Sequence, residues 1–387
     1  MAFDFIETQL QQRKSDGLYR QSHVNAGQQG RFIIVEGKRY VNFSSNDYLG
    51  LASDPALVDA WKKGAELYGV GSGGSYLVTG YNQAHADLTD QLKSWLGVEA
   101  VALFSSGYSA NQAIIKLLLD KNALLLQDKL NHASLIEAGS LANCKMLRFK
   151  HNDITHLESL LSKQQKPNTL IISEGVFSMD GDQAPINDLL IQSKQHHSWL
   201  MIDDAHGLGV LGENGQGSVV ASGMANSDLQ IYMATFGKAL GVGGAFVAGS
   251  KMLIDYVTNF SKPYIYTTGL PPAMAYTISC AAKMTEAEQW RRDKLFELIL
   301  HFKTIAKLHG IELGESQTAI QPLIIGDSQK AVKIANQLKA LGFWVTAIRP
   351  PTVPVNSARL RITITTSHEL QDIKQLVTAI STILSEY

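Results

Sequence analysis

Residues 199–207 read WLMIDDAHG, and residues 231–244 read IYMATFGKALGVGG. Each stretch is a short apolar run that stops abruptly in polar residues able to do chemistry. A run of four or five apolar residues without alternation suits a strand buried on both faces. The same shape recurs in VALFSS (101–106), ALLLQD (123–128), TLIISEG (169–175) and GAFVAGS (244–250). Helical segments separate these runs from about residue 46 to about residue 270. That alternation predicts an α/β fold with a mostly parallel sheet flanked by helices. Ligands of such sheets bind beyond the carboxyl ends of the strands. Ser105 to Tyr108, Asp128 to His132, Glu174 to Ser178, Asp203 to His206 and Thr235 to Lys238 occupy those ends.

Outward from this core, the chain begins with a short amphipathic helix carrying Phe5, Ile6 and Leu10 on one side. RFIIVEGKRYVNF (31–43) follows, read as a hairpin turning at Glu36-Gly37-Lys38. After Pro271-Pro272 a helical region runs through about Leu308. AIQPLIIG (319–326), FWVTAI (343–348) and RLRITIT (359–365) are read as strands, closed by the helix HELQDIKQLVTAISTIL. The expected organisation is an N-terminal helix and hairpin over 1–45, a large α/β domain over 46–285, and a smaller C-terminal α+β domain over 286–387.

The 387 residues carry 34 basic and 35 acidic side chains, a net charge of −1. No basic excess exists to neutralise nucleic-acid phosphates or to hold an anionic membrane, so neither is an expected partner. Cys144 and Cys280 stand far apart, without CxxC spacing, which gives neither a disulfide framework nor a thiolate metal site. The N-terminal residues lack a signal-peptide apolar core, and no uncharged apolar run approaches the roughly 18 residues that span a bilayer. A soluble, cytoplasmic enzyme is expected.

Two GxGxxG matches occur, at Gly69-Gly71-Gly74 and Gly207-Gly209-Gly212. The first follows a helical segment, and the second leads into ENGQGS, which is not the apolar helix that must face a pyrophosphate. Gly237-Lys238 is no Walker loop, because Ala239 stands where Ser or Thr would hold magnesium. Lys238 instead sits at a strand end among glycines that let a planar group approach the backbone. Desolvated there, it could serve as a Schiff-base nucleophile. Asp203 is either a turn cap or a carboxylate held against a pyridinium nitrogen, the partner that makes pyridoxal 5'-phosphate (PLP) an electron sink. Asp204 beside it makes a metal conceivable, but only His206 follows at close spacing, and no metal is expected. SSGYSANQAIIK opens a helix with serines, a glycine and free N–H groups, a ready phosphate site. Tyr108 or His132 could stack on the pyridine face.

Together, Asp203-Asp204-Ala205-His206-Gly207 and Thr235-Phe236-Gly237-Lys238 resemble the fold-type I PLP enzymes and, among them, the α-oxoamine synthases. NFSSNDYLGL (42–51), GSGGS (71–75), EGVFSMDGD (174–182), WVTAIRPPTVP (344–354) and ARLRITIT (358–365) extend the resemblance over essentially the whole chain. It implies a PLP-dependent transferase that condenses an amino acid with an acyl thioester and releases CO2. Among such enzymes the segments are similar to those joining L-alanine to a pimeloyl thioester, carried by CoA or by a carrier protein, in biotin biosynthesis.

By position, the resemblance makes Lys238 the amine joined to the cofactor aldehyde, Asp203 the partner of the pyridinium nitrogen and His132 the stacking ring, also meeting substrate. Gly107, Tyr108 and Thr235 become phosphate contacts. Ser178 and His206 bond the ring or its 3'-oxygen. Arg361 is the clamp for the amino-acid carboxylate, with Asn46 a lesser candidate, while Arg20 and Thr352 meet the acyl substrate. Thr267 and Thr268 reach the phosphate of a neighbouring subunit, implying a homodimer with shared sites. Tyr76 departs from the pattern, since many relatives have arginine there. Arg359 and Arg361 share a strand face, and either could be an ion-pair residue. Alternative readings are a synthase using glycine or serine with acetyl, succinyl or palmitoyl donors, such as a glycine C-acetyltransferase; a nucleotide oxidoreductase; and a non-catalytic scaffold.

Overall fold

The computed structural model describes residues 2–164 and 166–387. Its strands run in chain order as β1 (Phe32–Val35), β2 (Lys38–Asn42), β3 (Ala100–Phe104), β4 (Leu124–Asp128), β5 (Lys145–Phe149), β6 (Thr169–Glu174), β7 (Trp199–Asp203), β8 (Ile231–Thr235), β9 (Ala245–Gly249), β10 (Ile320–Gly326), β11 (Phe343–Trp344), β12 (Thr346–Ile348) and β13 (Ala358–Thr363). The chain divides into two compact units. One holds residues 1–46, 179–181 and 293–387; the other holds 47–178 and 182–292.

The larger unit is built on a seven-stranded sheet of order β3-β9-β8-β7-β6-β4-β5. Strands β4 to β8 pair in parallel, while β9 runs antiparallel to both β8 and β3. Leu124, Leu125, Leu126, Ile171, Ile172, Met201 and Ile202 are fully buried, as strands covered on both faces require. Burying each such side chain contributes about 1.5–3 kcal/mol. The helix Gly107–Leu118 packs Ala110, Ala113, Ile114 and Ile115 into the same core.

In the other unit β1 and β2 form an antiparallel hairpin. Glu36 and Gly37 both take positive φ, 52° and 74°, the twist a two-residue hairpin turn needs. β11 lies parallel to β2. A second sheet has the order β10-β13-β12, and the helix Leu370–Leu384 buries Ile373, Leu376, Val377, Ile380 and Ile383.

Some local expectations need correction. β5 (KMLRF) is an additional edge strand, and FWVTAI divides into β11 and β12, which join different sheets. The helical region after Pro272 breaks into Pro272–Ala287 and Gln289–Leu308, because Glu288 leaves helical geometry at φ −95°, ψ 65°. The first helix, Phe5–Ser15, buries none of its side chains, so Phe5, Ile6 and Leu10 face outward.

A charged clamp fixes three loops at the carboxyl ends of the large sheet. His151, after β5, bonds Asp128 Oδ1 of β4 through Nδ1 at 3.0 Å and Asp182 Oδ2, after β6, through Nε2 at 2.6 Å. Asn152 N–H donates to Asp128 Oδ2 at 2.9 Å. Burial alone would lower the His151 pKa, but hydrogen bonds and charge from the two aspartates overcome it and raise the value to about 10. A histidine raised on folding contributes stability that is complete below its unfolded value near 6.5 and is lost as pH climbs through about 10. His151→Asn should therefore lower the melting temperature by at least about 2 °C at pH 6.5. The gap from wild type should close as pH approaches 10. A gap that stays constant from pH 6.5 to 10 would show an uncharged ring and refute the clamp.

Candidate active site

The segment after β8 places Lys238 through a turn that only glycines permit. Thr235 Oγ1 donates to Gly244 O at 2.7 Å and accepts from Gly237 N–H at 3.3 Å, which ties the strand end to the returning loop. Gly244 has φ +86°, and a Cβ on Gly241 would lie 2.4 Å from the backbone nitrogen of Ala52. The glycines of ALGVGG thus let the loop close against the NDYLGL turn. Asp47 shapes that turn, since its Oδ1 accepts from Leu51 N–H at 2.9 Å and Ala52 N–H at 3.2 Å. Burial pushes its carboxyl up to about 6.

Tyr48, presented by that turn, is buried, and its hydroxyl lies 2.5 Å from His206 Nδ1. His206 Nε2 lies 2.7 Å from Lys238 Nζ. The result is a Tyr48–His206–Lys238 relay in which the outer nitrogen of the imidazole meets the amine. Sequence reasoning named His206 and Lys238 but gave Tyr48 no role.

The two aspartates that end β7 have different fates. Asp204 is fully buried, with Oδ1 accepting from Ser218 Oγ at 2.6 Å and Oδ2 from Ser218 N–H and Tyr232 Oη, each at 2.8 Å. Burial still pushes its carboxyl up to about 6. A Cβ on Gly207 would sit 2.1 Å from Asp204 Oδ1, and Gly209 and Gly212 take φ of +82° and +77°. Those glycines serve this packed turn. In the other glycine match Gly69 caps the helix Pro55–Tyr68. The dinucleotide reading of both falls.

Asp203 bonds elsewhere. Its Oδ2 accepts from Asn111 Nδ2 at 2.9 Å, and the same amide reaches Ser134 Oγ at 2.9 Å. Ser134 Oγ in turn meets His132 Nδ1 at 2.8 Å. Asn111 projects from the helix Gly107–Leu118 into the protein and links the Asp203 carboxylate to the His132 ring. His132 is exposed. Its pKa is lowered, first by partial loss of water and then by the Lys238 charge, against the pull of Asp203. Asp203, His132 and Lys238 thus lie within one another's fields.

Beside them, Gly107 and Tyr108 are the first two residues of their helix, where N–H groups have no acceptor within the helix. Ser106 caps it by accepting from Ser109 N–H at 3.1 Å. A Cβ on Gly107 would make ordinary contacts, with Met233 Cε at 3.8 Å and Thr235 Cβ at 4.0 Å, which sets the helix start beside Thr235. Ser178, buried, follows β6, as expected for a strand-end residue. The set fits PLP: a helix start and the Thr235 hydroxyl suit a phosphate, Asp203 a pyridinium, and the Lys238 amine an aldehyde. No group of three or more His, Cys, Asp or Glu able to hold a metal occurs among the described residues. No helix among them is long and apolar enough to cross a membrane.

Thr267 and Thr268 are exposed in the loop before Gly269. Tyr76 anchors that loop, because its hydroxyl accepts from Leu270 N–H at 3.0 Å and its ring packs edge-on to His85. Burial raises its phenol pKa. At this position the side chain holds backbone where an arginine would offer charge.

In the other unit Arg359 of β13 pairs with Asp180. Arg361 Nη1 donates to Asn46 Oδ1 at 3.1 Å and Thr363 Oγ1 at 3.0 Å. The same unit contains a cavity of about 740 Å³ lined in part by Arg20, His23, Trp344, Ile348, Arg349 and Thr352. Arg20 Nη2 donates to Thr352 Oγ1 at 3.1 Å. Burial and then the neighbouring charge of Arg20 lower the pKa of Arg349. Among the described residues neither guanidinium is paired with a carboxylate.

Residues 38–380 match the family Aminotransferase class I and II. The chain is 50% identical over 376 residues, 97% of its own length and 94% of the relative's, to an 8-amino-7-oxononanoate synthase of Aeromonas hydrophila. It is 48% identical over 386 residues to the Photobacterium profundum protein of that name, covering 98% and 97% of the two chains. Among solved structures, a serine palmitoyltransferase of S. paucimobilis with a bound PLP–myriocin aldimine superposes with TM-score 0.93 at 27% identity, over 99% of this chain and 98% of that one. The 8-amino-7-oxononanoate synthase of Francisella tularensis gives TM-score 0.79 at 27% identity, over 90% and 98%. With its strand-end residues arranged as described and its identity to these relatives running nearly end to end, the chain belongs to the aminotransferase class I and II family and, within it, to the 8-amino-7-oxononanoate synthases.

Proposed function

We propose that the protein condenses L-alanine with a pimeloyl thioester, of CoA or of a carrier protein, giving 8-amino-7-oxononanoate, CO2 and the free thiol. The observation that carries this reading is the Lys238 amine held against His206 in one electrostatic cluster with Asp203 and His132. Bound PLP would supply an aldehyde for covalent capture of an amine and a protonated ring that draws off an electron pair.

Each residue then has a task. Asp203, fixed by Asn111, holds the proton on the ring nitrogen. Gly107, Tyr108 and Thr235 bind the phosphate. His132, with Nδ1 tied to Ser134, offers its ring face to the cofactor and substrate. Ser178 and His206 orient the ring oxygen, and Tyr48 fixes the His206 imidazole. Once its amine is released, Lys238 Nζ takes the proton from the alanine Cα and later returns one to the product. His206 Nε2 steadies that amine in either state.

Arg361, braced by Asn46 and Thr363, is proposed to bind the alanine carboxylate. Arg20 and Thr352, with Arg349, are proposed to receive the acyl chain in their cavity, where apolar walls and two guanidiniums with no carboxylate partner among the described residues suit a hydrocarbon ending in a carboxylate. We also propose a homodimer. Trp61, Leu67, Val70, Leu77 and Val78 are exposed on the stretch 61–78, whose Ser75 pairs with Thr268, and Tyr266 is exposed directly before Thr267 and Thr268; such apolar side chains are costly to leave in water. A sedimentation mass of 42.3 kDa, that of one chain, would contradict it.

Thiol release tests the whole reading. Pimeloyl-CoA with alanine should release thiol, whereas acetyl-CoA with glycine should not; the reverse pattern would overturn the assignment. In the same assay Arg361→Ala should raise the KM for alanine, and Arg20→Ala the KM for the pimeloyl donor. Each change should be about tenfold or more, the loss of one charge-assisted contact. Equal rises in both KM values for either variant would contradict the assigned roles.

A further inference from the structure

Glu174 ends β6 with 2% of its surface exposed. In the parallel pairing of β6 with β7 it lies directly opposite Asp203, so the two side chains leave the sheet on the same face. Its carboxyl accepts hydrogen bonds from the backbone N–H groups of His132 and Ser178. Its Oε1 is buried and has no partner. Asp203, by contrast, takes Asn111 Nδ2 on one oxygen and Ala205 N–H on the other.

Two carboxylates on adjacent strands cannot both ionise cheaply away from water. The groups facing Glu174 are Asp203 from β7, Lys238 from the segment after β8, and the start of the helix that follows His132. Burial raises the Glu174 pKa well above the ordinary carboxyl range, Asp203 adds to that rise, and Lys238 and the two N–H donors only partly offset it. The proton belongs on the oxygen at which no donor points. A buried O–H on Oε1 needs an acceptor, and none is present among the described residues.

We infer that Glu174 is a cofactor-contacting acid that stays protonated and donates from Oε1 to the phenolic oxygen beside the PLP aldehyde. The inference rests on the proposed PLP chemistry. It adds a neutral hydrogen-bond donor where the residue type suggests an anion. Such a donor withdraws charge from the phenolate and weakens the phenolate's hold on the proton of the adjacent linkage to Lys238.

The test is a pH titration of the visible absorbance of the PLP-loaded protein, with PLP affinity measured alongside. Glu174→Gln keeps a neutral donor of the same size and should leave the midpoint within about 0.3 unit of wild type. Glu174→Ala removes the donor and should raise the midpoint by about one unit, the scale of one hydrogen bond, with PLP affinity falling no more than about tenfold. A midpoint lowered by about one unit or more in Glu174→Gln would mean that wild-type Glu174 is an anion. An unmoved midpoint in Glu174→Ala would mean no contact with the phenolic oxygen, and loss of PLP from a folded Glu174→Gln variant would mean a different role. Each of these overturns the inference. If Glu174→Ala does not fold, the isosteric variant decides alone. Wild-type protein without a borohydride-reducible visible band would remove the PLP reading itself, a failure distinct from those above.

Discussion

The Lys238→Ala variant is expected to lose alanine-dependent thiol release by at least about a thousandfold while keeping its fold. The variant loses two functions at one atom. The Nζ that meets His206 Nε2 at 2.7 Å is the amine proposed to join the aldehyde and to take the Cα proton afterwards. General acid–base help alone typically contributes about 10²–10⁴ in rate. Lys238 is half-buried at the end of a turn, so truncation leaves the core strands untouched. Methylamine added to the variant should restore a small part of the rate, because a free amine can enter the space left by the side chain. Thiol release surviving in Lys238→Ala within about tenfold of wild type, without added amine, would contradict the proton-transfer role.

The second large effect belongs to Asp203. Asp203→Ala should lower kcat by at least about a hundredfold, since the carboxylate proposed to hold the ring proton is gone and the electron sink would weaken. PLP affinity should fall as well. Asn111→Ala offers a graded comparison, because it leaves the carboxylate in place but removes the amide that aims it. About 1–3 kcal/mol is at stake when such a buried partner is lost, or roughly tenfold to a hundredfold in rate. If Asp203→Ala kept wild-type kcat while Asn111→Ala did not, the carboxylate would be structural and the amide the working group.

Much of this architecture was legible in the sequence because buried parallel strands leave an unmistakable trace. ALLLQD, TLIISEG and WLMIDD are apolar on both faces and end in polar residues, which revealed both the sheet and the positions at its carboxyl edge. β5 left no such trace. KMLRF lies at the sheet edge with only Phe149 fully buried, so it offers no continuous apolar run. FWVTAI misled for a different reason: its apolar character is shared between two sheets that the chain visits in turn.

At the site, Lys238, Asp203, His132 and His206 were found by their place at strand ends and by resemblance. Tyr48, Asn111 and Ser134 were not, and Glu174 was marked only as a strand-end residue without a role. Asn111 lies on an otherwise apolar helix face, and a polar residue among Ala110, Ala113 and Ile114 was the available signal. Its partner Asp203 is 92 residues away, so only the fold joins them. Tyr48 is 158 residues from His206 and looks, in sequence, like another core aromatic. Glu174 was visible at a strand end, but its lack of a partner for Oε1 is a property of three dimensions alone. His151 shows the same limit, since its two aspartates come from different loops.

Borohydride reduction of the PLP-loaded protein, followed by digestion and mass mapping, addresses the central claim most directly. The account predicts a pyridoxyl adduct on one peptide, the one containing Lys238, in wild type and in Glu174→Gln. An adduct on any other lysine, or a reduced protein with no adduct at all, would contradict it.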